Sequence, residues 1–274
     1  MKKVLLTGAD GMLAKDFRPI LEQNGYDVIS KNKAEMDITD LNQVESIFSI
    51  INPNIVVHCA AYTKVDDAEE NPELADKVNH VGTENIAKLC AKYNSLLIYI
   101  STDYVFDGKS KTPYLPDSTP NPINIYGKTK FLGEQAVIEN CKDYIIARTS
   151  WLYGKHGKNF VETMIKLSEK PELKVVNDQI GCPTWTVDLS NALVKLLNDN
   201  KRGIYNICGA GSTSWYGFAQ EIFKLMNLNV NLIPCQTSEF PQKAKRPKFS
   251  VMYNNDLCRN WKLALKEYLA SRQS

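Results

Sequence analysis

From residue 3 to residue 149 the sequence alternates between short aliphatic runs and longer stretches with helical spacing. Strand patterns read as KVLLT (3–7), YDVIS (26–30), NIVVH (54–58), SLLIYIS (95–101) and DYIIART (143–149). Helical patterns separate them, over 12–24, 41–51, about 72–93 and about 125–140. The strands lack strict polar–apolar alternation, as expected when both faces are covered. Repeated strand–helix–strand units require long crossovers, and hence an α/β fold with a doubly wound parallel sheet. Asp40 and Gln43 have the spacing of a capping box for the second helix. Pro19 lies inside the first helical pattern, where it removes one helical hydrogen bond and is expected to bend the helix.

Beyond residue 150 the order loosens. Helical patterns at 159–169, 187–198 and about 214–226 flank strand patterns ELKVV (172–176) and GIYNICG (203–209). Gly181, Pro183, Gly209 and Gly211 punctuate the gaps. The expected division is a sheet domain over 1–150 and a smaller α/β portion over 151–274, some of whose segments return to the sheet.

Composition removes several classes of function. Charged residues make up 23% of the 274, the net charge is +2, and no basic field argues for nucleic acid. The longest apolar runs are far too short to span a bilayer. The opening MKKVLLTGADG reads as a first strand rather than a leader, since only Val4–Leu6 is apolar. Seven widely spaced cysteines contain no Cys-x-x-Cys, and no cysteine pair or acidic cluster accompanies the three histidines. A disulfide framework and a metal site are therefore not expected, and the chain reads as a cytoplasmic protein with reduced thiols.

The first strand runs directly into TGADGMLA (7–14), a Gly-x-x-Gly-x-x-Ala. Gly8 permits a tight turn, Gly11 lets the backbone approach a pyrophosphate, and Ala14 keeps the helix close to the sheet. Met12 and Leu13 open a helix whose unpaired N–H groups suit phosphates. At the first strand–helix junction this is the pattern of a Rossmann-like dinucleotide site. The acid that grips a ribose diol about 20 residues on in NAD sites is absent here. The second strand instead ends in Ser30-Lys31. Lys31 suits a 2′-phosphate and equally suits a solvated loop, so NADPH and NADH are both compatible. Asp37-Ile38 lies where an adenine ring would sit. The small residues of HCAAYT (58–63), Ala60, Ala61 and Thr63 among them, let a cofactor lie across the strand tips.

Tyr126 and Lys130 form the only Tyr-x-x-x-Lys in the chain. Four residues apart on a helix, they share a face. A free phenol titrates near ~10, and a neighbouring ammonium is expected to lower that value. Thr102, in the strand-end STDYVFDG (101–108), offers a hydroxyl for a carbonyl oxygen. Beside a nicotinamide, the three side chains would make a carbonyl reductase.

With these elements in order, TGxxGxxA, Ser-Thr, then Tyr-x-x-x-Lys, the chain resembles the extended short-chain dehydrogenase/reductases. More narrowly it is similar to the dTDP-4-dehydrorhamnose reductase family along nearly its whole length. The match is carried by DITD (37–40), AAYTKVDDAE (60–69), STDYVFDG, YGKTK (126–130), RTSWLYG (148–154), NDQIGCPT (177–184), TSWYGFAQEIF (213–223) and KRPKFS (245–250). The resemblance implies reduction of the C4 keto group of dTDP-6-deoxy-L-lyxo-4-hexulose by NADPH or NADH, giving dTDP-L-rhamnose. It implies Thr102, Tyr126 and Lys130 as the catalytic set. Gly8, Gly11, Met12, Leu13, Asp37, Ile38, Ala60, Ala61, Thr63, Tyr126 and Lys130 would hold the cofactor, with Ser30 and Lys31 near its ribose. Thr102, Asp103, Tyr104 and Trp151 would meet the sugar, and the guanidinium fork of Arg246 suits the diphosphate. The aromatic residues of TSWYGFAQEIF read as helix packing.

Some relatives join two chains through metal-bound glutamates; here the corresponding stretch is Ala14-Lys15-Asp16, so no such metal is expected and both monomer and homodimer fit. Two rival readings share the fold: a sugar epimerase or dehydratase that returns its hydride, and a cofactor-binding regulatory subunit without turnover. STDYVFDG with DQIGCPT favours the reductase over the first. The intact Thr102, Tyr126 and Lys130 argue against the second.

Overall fold

A computed structural model describes residues 1–272. In chain order the first half runs β1 (Lys3–Thr7), α1 (Met12–Gln23), β2 (Asp27–Lys31), α2 (Leu41–Ile51), β3 (Ile55–His58), α3 (Val65–Glu70), α4 (Pro72–Asp76), a π-helical turn (Lys77–Val81), α5 (Gly82–Lys92), β4 (Leu96–Thr102), α6 (Ile125–Asn140) and β5 (Tyr144–Thr149). The second half adds β6 (Leu152–Tyr153), α7 (Phe160–Leu167), β7 (Glu172–Val176), β8 (Ile180–Gly181), β9 (Thr184–Trp185), α8 (Thr186–Asn198), β10 (Gly203–Asn206), β11 (Thr213–Ser214), α9 (Trp215–Leu225), β12 (Asn231–Cys235) and α10 (Trp261–Ser271).

Six strands form one sheet in the order β10-β5-β4-β3-β1-β2, and every pairing in it is parallel. Successive residues of each strand enter opposite cores. Val4, Leu6, Ile55, Val57, Ile98 and Ile145 pack with Phe17 and Leu21 of α1 and Leu189 and Leu193 of α8. Leu5, Val56, Leu97, Tyr99 and Ile146 pack with Phe48 of α2, Ile86 of α5 and Val137 of α6. That double burial is why the strands read as unbroken apolar runs. The chain crosses between β1 and β3, and their carboxyl ends, Thr7 and His58, stand side by side. Such a switch point leaves a crevice for a ligand.

Residues past 150 do not form a body apart from this sheet. Helix α8 packs on α1, and β10 pairs with β5 as the sixth strand, Gly203 opposite Ile145. The remainder builds a third core around Tyr153, Trp185, Phe218, Ile222, Trp261 and Tyr268. Strands β7 and β12 pair beside it, and β8 pairs with β11.

Three local expectations change. The helix expected over 72–93 is broken into α4, the π turn and α5. The π turn lets Asn79 serve both sides of the Tyr62 peptide: Tyr62 N–H donates to Asn79 Oδ1 (2.7 Å) and Asn79 Nδ2 donates to Tyr62 O (3.1 Å). Pro19 does not interrupt α1; it lies on the exposed face, where water can meet the freed carbonyl. The capping box is only half made. Asp40 accepts from Asn42 and Gln43 N–H, but Gln43 Oε1 receives Asp37 N–H at 3.1 Å instead of the Asp40 amide.

Candidate active site

A cleft of about 860 Å³ opens at the switch point. Its floor begins at Gly8, with φ +67° and so close to β3 that a Cβ would lie 2.7 Å from Ala60 N. A side chain is thus excluded twice over, by backbone conformation and by contact. Gly11 N–H closes the turn on Gly8 O at 2.9 Å. It then begins α1 with no side-chain cap and no acid in the first turn, so free N–H groups face the cleft beside Met12 and Leu13. These features fit a dinucleotide pyrophosphate.

The floor continues through Ala60, Ala61 and Thr63. Behind it runs a buried chain of hydrogen bonds. Ala60 N–H donates to Thr7 Oγ1 (3.2 Å), which bonds His58 Nδ1 (2.8 Å); His58 Nε2 bonds Thr83 Oγ1 (3.2 Å), and Thr83 donates to Asn79 O (2.7 Å). Burial, then the nearby Lys130 charge, push His58 down to about 3, so the imidazole is neutral.

Asp37 and Ile38 line the same wall. Hydrogen bonds from Thr39 hold the Asp37 carboxyl below its usual range. At the end of β2 the cleft is lined by Asn32 and Lys33, not by Ser30 and Lys31. Lys31 is turned toward Glu35, its Nζ 3.9 Å from Oε1, and Ser30 lies within the β1–β2 ladder opposite Leu6. The strand runs through residue 31, which moves the first free side chains two positions along.

At the other end, Thr102 closes β4 and accepts Tyr104 N–H at 3.2 Å while donating to Asp103 Oδ1 at 3.1 Å. Burial pushes the Asp103 carboxyl up to about 7 against the pull of the Ser250 and Thr102 hydroxyls. Tyr126 stands in the first turn of α6. That helix start is fixed by its N-cap Asn124, by Glu69 accepting Ile125 N–H (2.8 Å), and by Asn124 donating to Lys245 O (2.8 Å). Tyr104 meets the Tyr126 ring edge-on at 5.9 Å. Lys130, one turn on, is 2% exposed, with Nζ 4.0 Å from the Tyr99 ring centroid.

The electrostatics differ from the sequence expectation. Burial raises the Tyr126 phenol to about 12; Thr102 opposes this and Asp103 adds to it. Burial also drives Lys130 down to about 7, with Glu134 and Cys59 holding it up. Nothing from Lys130 offsets the burial of the phenol, which stays protonated at neutral pH. Behind both residues, Glu134 and Arg148 are 1% and 2% exposed and joined at 2.9 and 2.7 Å. Ser101 also donates to Glu134, so the pair ties β4, α6 and β5 together next to Thr102 and Lys130.

Trp151 lines the cleft with φ +47°, a conformation non-glycine residues rarely hold. Its indole stacks on Trp215 at 3.5 Å and 5°. Trp215, first residue of α9, also lines the cleft, as do His156, Gly157 and Lys158, none of them expected from the sequence. Phe218 is fully buried in helix packing, and Trp215 packs against the same core while also lining the cleft. Asp16, in the stretch 14–16 of the first helix, lies 3.5 Å from His156. Arg246 does not line the cleft. Both arms of its fork are taken by Asp66 at 2.6 Å, one also donates to Ala244 O at 2.6 Å, and the guanidinium meets the Tyr104 hydroxyl as well.

The RmlD substrate binding domain family matches residues 1–273. The chain belongs to that family. A spore coat polysaccharide biosynthesis protein, SpsK, of Bacillus subtilis is 42% identical over 100% of this chain and 99% of its own. A dTDP-4-dehydrorhamnose reductase of Streptomyces griseus is 38% identical over 96% of this chain and 91% of its own. The crystal structure of dTDP-4-dehydrorhamnose reductase from Bacillus anthracis in complex with NADP superposes with a TM-score of 0.96, at 43% identity, over 99% of this chain and 100% of that one. The present chain thus shares its fold with that reductase. Among the described residues no helix is long and apolar enough to cross a membrane.

Proposed function

We propose that this protein is an NAD(P)H-dependent reductase that converts dTDP-6-deoxy-L-lyxo-4-hexulose to dTDP-L-rhamnose by reducing its C4 keto group. The observation that carries this reading is the meeting, in one cleft with the Gly8–Gly11 turn, of Thr102, a protonated Tyr126 and a buried Lys130. Family membership and the relatives' names support the reaction and the sugar.

A bound nicotinamide would supply the hydride. It would be held by the free amides of α1, by Asp37 and Ile38 and by the floor of Ala60, Ala61 and Thr63. The chain's own residues manage the oxygen that becomes a hydroxyl. Tyr126, kept protonated by burial, donates the proton. Thr102 turns its O–H from Asp103 to the arriving oxygen. Lys130, one turn behind, supplies positive charge as the phenolate forms. Asp103, Tyr104 and Trp151 then bound the sugar. Residues 1–150 would mainly serve the cofactor and 151–274 the sugar, apart from α8 and β10.

Either a monomer or a homodimer fits this reading. A nucleotide-sugar substrate and a nicotinamide donor support a cytoplasmic setting, with the product used for surface polysaccharide. The test is loss of nicotinamide absorbance with the dTDP-4-keto-6-deoxy-L-lyxo sugar, run with NADPH and NADH. Stoichiometric oxidation with dTDP-L-rhamnose formed is expected. A folded, cofactor-binding protein that consumes neither would refute the reading.

A further inference from the structure

Asp103 lines the cleft yet is only 2% exposed, and its Oδ2 is buried without a hydrogen-bond partner. A carboxylate held this way is costly, because burial penalises the charge and the unpaired oxygen has given up its water. A carboxylic acid in the same place costs far less. Burial raises this carboxyl to about 7, so both forms are populated at neutral pH. Around it stand the Thr102 and Ser250 hydroxyls, the Tyr104 and Tyr126 phenols and the Cys182 and Cys208 thiols. The contacts that favour its charged form are hydroxyls and amides, not a cation.

This carboxyl is joined to the reacting phenol. Thr102 Oγ1 lies 3.1 Å from Asp103 Oδ1, and the same hydroxyl bonds the Tyr126 phenol. Tyr104 N–H occupies one lone pair of Thr102 at 3.2 Å, which leaves the hydroxyl one further lone pair and one proton to place. When Asp103 is ionised, that proton points to Oδ1. When Oδ1 carries a proton, Thr102 accepts it as a hydrogen bond and its own O–H is free for Tyr126. Lys130, by contrast, holds its Nζ over the Tyr99 ring, 4.0 Å from the centroid. Besides burial, the groups that act on the Tyr126 phenol are Thr102 and Asp103.

Resting on the reductase reading above, we infer that Asp103 is the proton reservoir of the site and restores the proton of Tyr126 through the Thr102 hydroxyl after each reduction. Once Tyr126 has given its proton to the C4 oxygen, the phenolate is the strongest base in the line. The Thr102 proton passes to the phenolate oxygen while the Asp103 Oδ1 proton passes to Thr102 Oγ1. Phenol and hydroxyl are then whole, and the negative charge rests on Asp103. After the product leaves, the unpartnered Oδ2 takes a proton from water, and a half-turn of the carboxyl restores the starting state. The line thus carries the proton that each reduction draws from solvent.

The test is stopped-flow oxidation of NADPH or NADH under saturating dTDP-4-keto-6-deoxy-L-lyxo sugar, followed through the first and later turnovers. Asp103→Asn keeps the size of the side chain and an acceptor for Thr102 but has no acidic proton to pass on. Each of its sites should oxidise a single nicotinamide rapidly, using the proton Tyr126 already holds, and then turn over more slowly by roughly 10²-fold. Slow product release would not give this pattern, because losing a sugar contact speeds release. NADP binding checks the fold. Ser250→Ala serves if that variant does not fold. It removes a hydroxyl that favours the carboxylate, so the fall of kcat with rising pH should move about one unit toward alkaline pH. Lys130 also lies near 7, but Ser250 acts on Asp103 and so moves only a fall that the carboxyl carries. A folded Asp103→Asn whose first and later turnovers share one rate would overturn the inference and leave the reductase standing. A Ser250→Ala profile that stays in place would do the same. If the native protein oxidised neither nicotinamide with this sugar, the reductase reading would fall too.

Discussion

Removing Arg148 should cost far more than removing the pair it belongs to. Arg148 is 2% exposed and Glu134 1%, and two bonds of 2.9 and 2.7 Å join them. A third arm of Arg148 donates to Pro116 O at 2.9 Å. In Arg148→Met the Glu134 carboxylate stays buried, with Ser101 and the neighbouring Lys130 as its only compensation. Breaking a buried pair from one side costs about 3–5 kcal/mol, a large share of the roughly 5–15 kcal/mol that holds a domain together. Glu134→Gln/Arg148→Met leaves no stranded charge and keeps an acceptor for Ser101. The double variant should therefore regain at least half of the loss. Urea denaturation followed by tryptophan fluorescence measures both, and an unchanged slope confirms that stability alone moved. A single-variant loss under about 1 kcal/mol, the range of an exposed pair, would refute the reasoning. So would a double variant weaker than Arg148→Met, since it would mean that the charge was never uncompensated.

Three further outcomes follow from the site. Tyr126→Phe should lower turnover by about 10²–10⁴-fold, the usual share of a positioned proton donor, with cofactor affinity measured by fluorescence unchanged. Lys33→Ala should raise KM for NADPH and leave that for NADH alone, while Lys31→Ala, outside the cleft, should change neither; steady-state kinetics with each cofactor decides between them. Lys130 has a folded pKa of about 7, well below its ordinary 10.5, so between those values the unfolded chain binds the proton that the folded chain has shed. Stability of the cofactor-free protein should accordingly rise with pH through that window, and Lys130→Met should flatten the rise in urea titrations at stepped pH.

The sheet was legible because its strands are covered on both faces, and unbroken apolar runs such as SLLIYIS carry that fact locally. The bounds of α2, β1 and β7 could be read to the residue for similar local reasons: Asp40 is a visible N-cap, and ELKVV is a run of strand formers. Residues 72–93 could not be read correctly, because the π turn answers a tertiary demand. Asn79 has to reach Tyr62 and Thr129, and no spacing within the helix announces it. Strand β12 and helix α10 escaped notice for a related reason. Their apolar residues, Leu232, Trp261 and Leu265, make sense only against the third core.

The candidate site divides along the same line. Residues whose role is backbone geometry or helical spacing, Gly8, Gly11, Tyr126 and Lys130, could be named from the chain alone. Those whose place depends on where two distant segments meet could not. Trp215 sits 64 residues from Trp151 and reaches it only because β8 pairs with β11. Arg246 looked free for phosphate because nothing in KRPKFS hints that Asp66, 180 residues earlier, would hold its fork. Charge state is the least local property. The Lys130 ammonium was expected to lower the Tyr126 phenol, yet burial moves the two in opposite directions, to about 12 and about 7. For a reductase that opposition is useful. The donor must keep its proton until the keto oxygen takes it, and a phenol raised by burial does so, whereas one lowered by a strong neighbouring cation would have lost it to water beforehand.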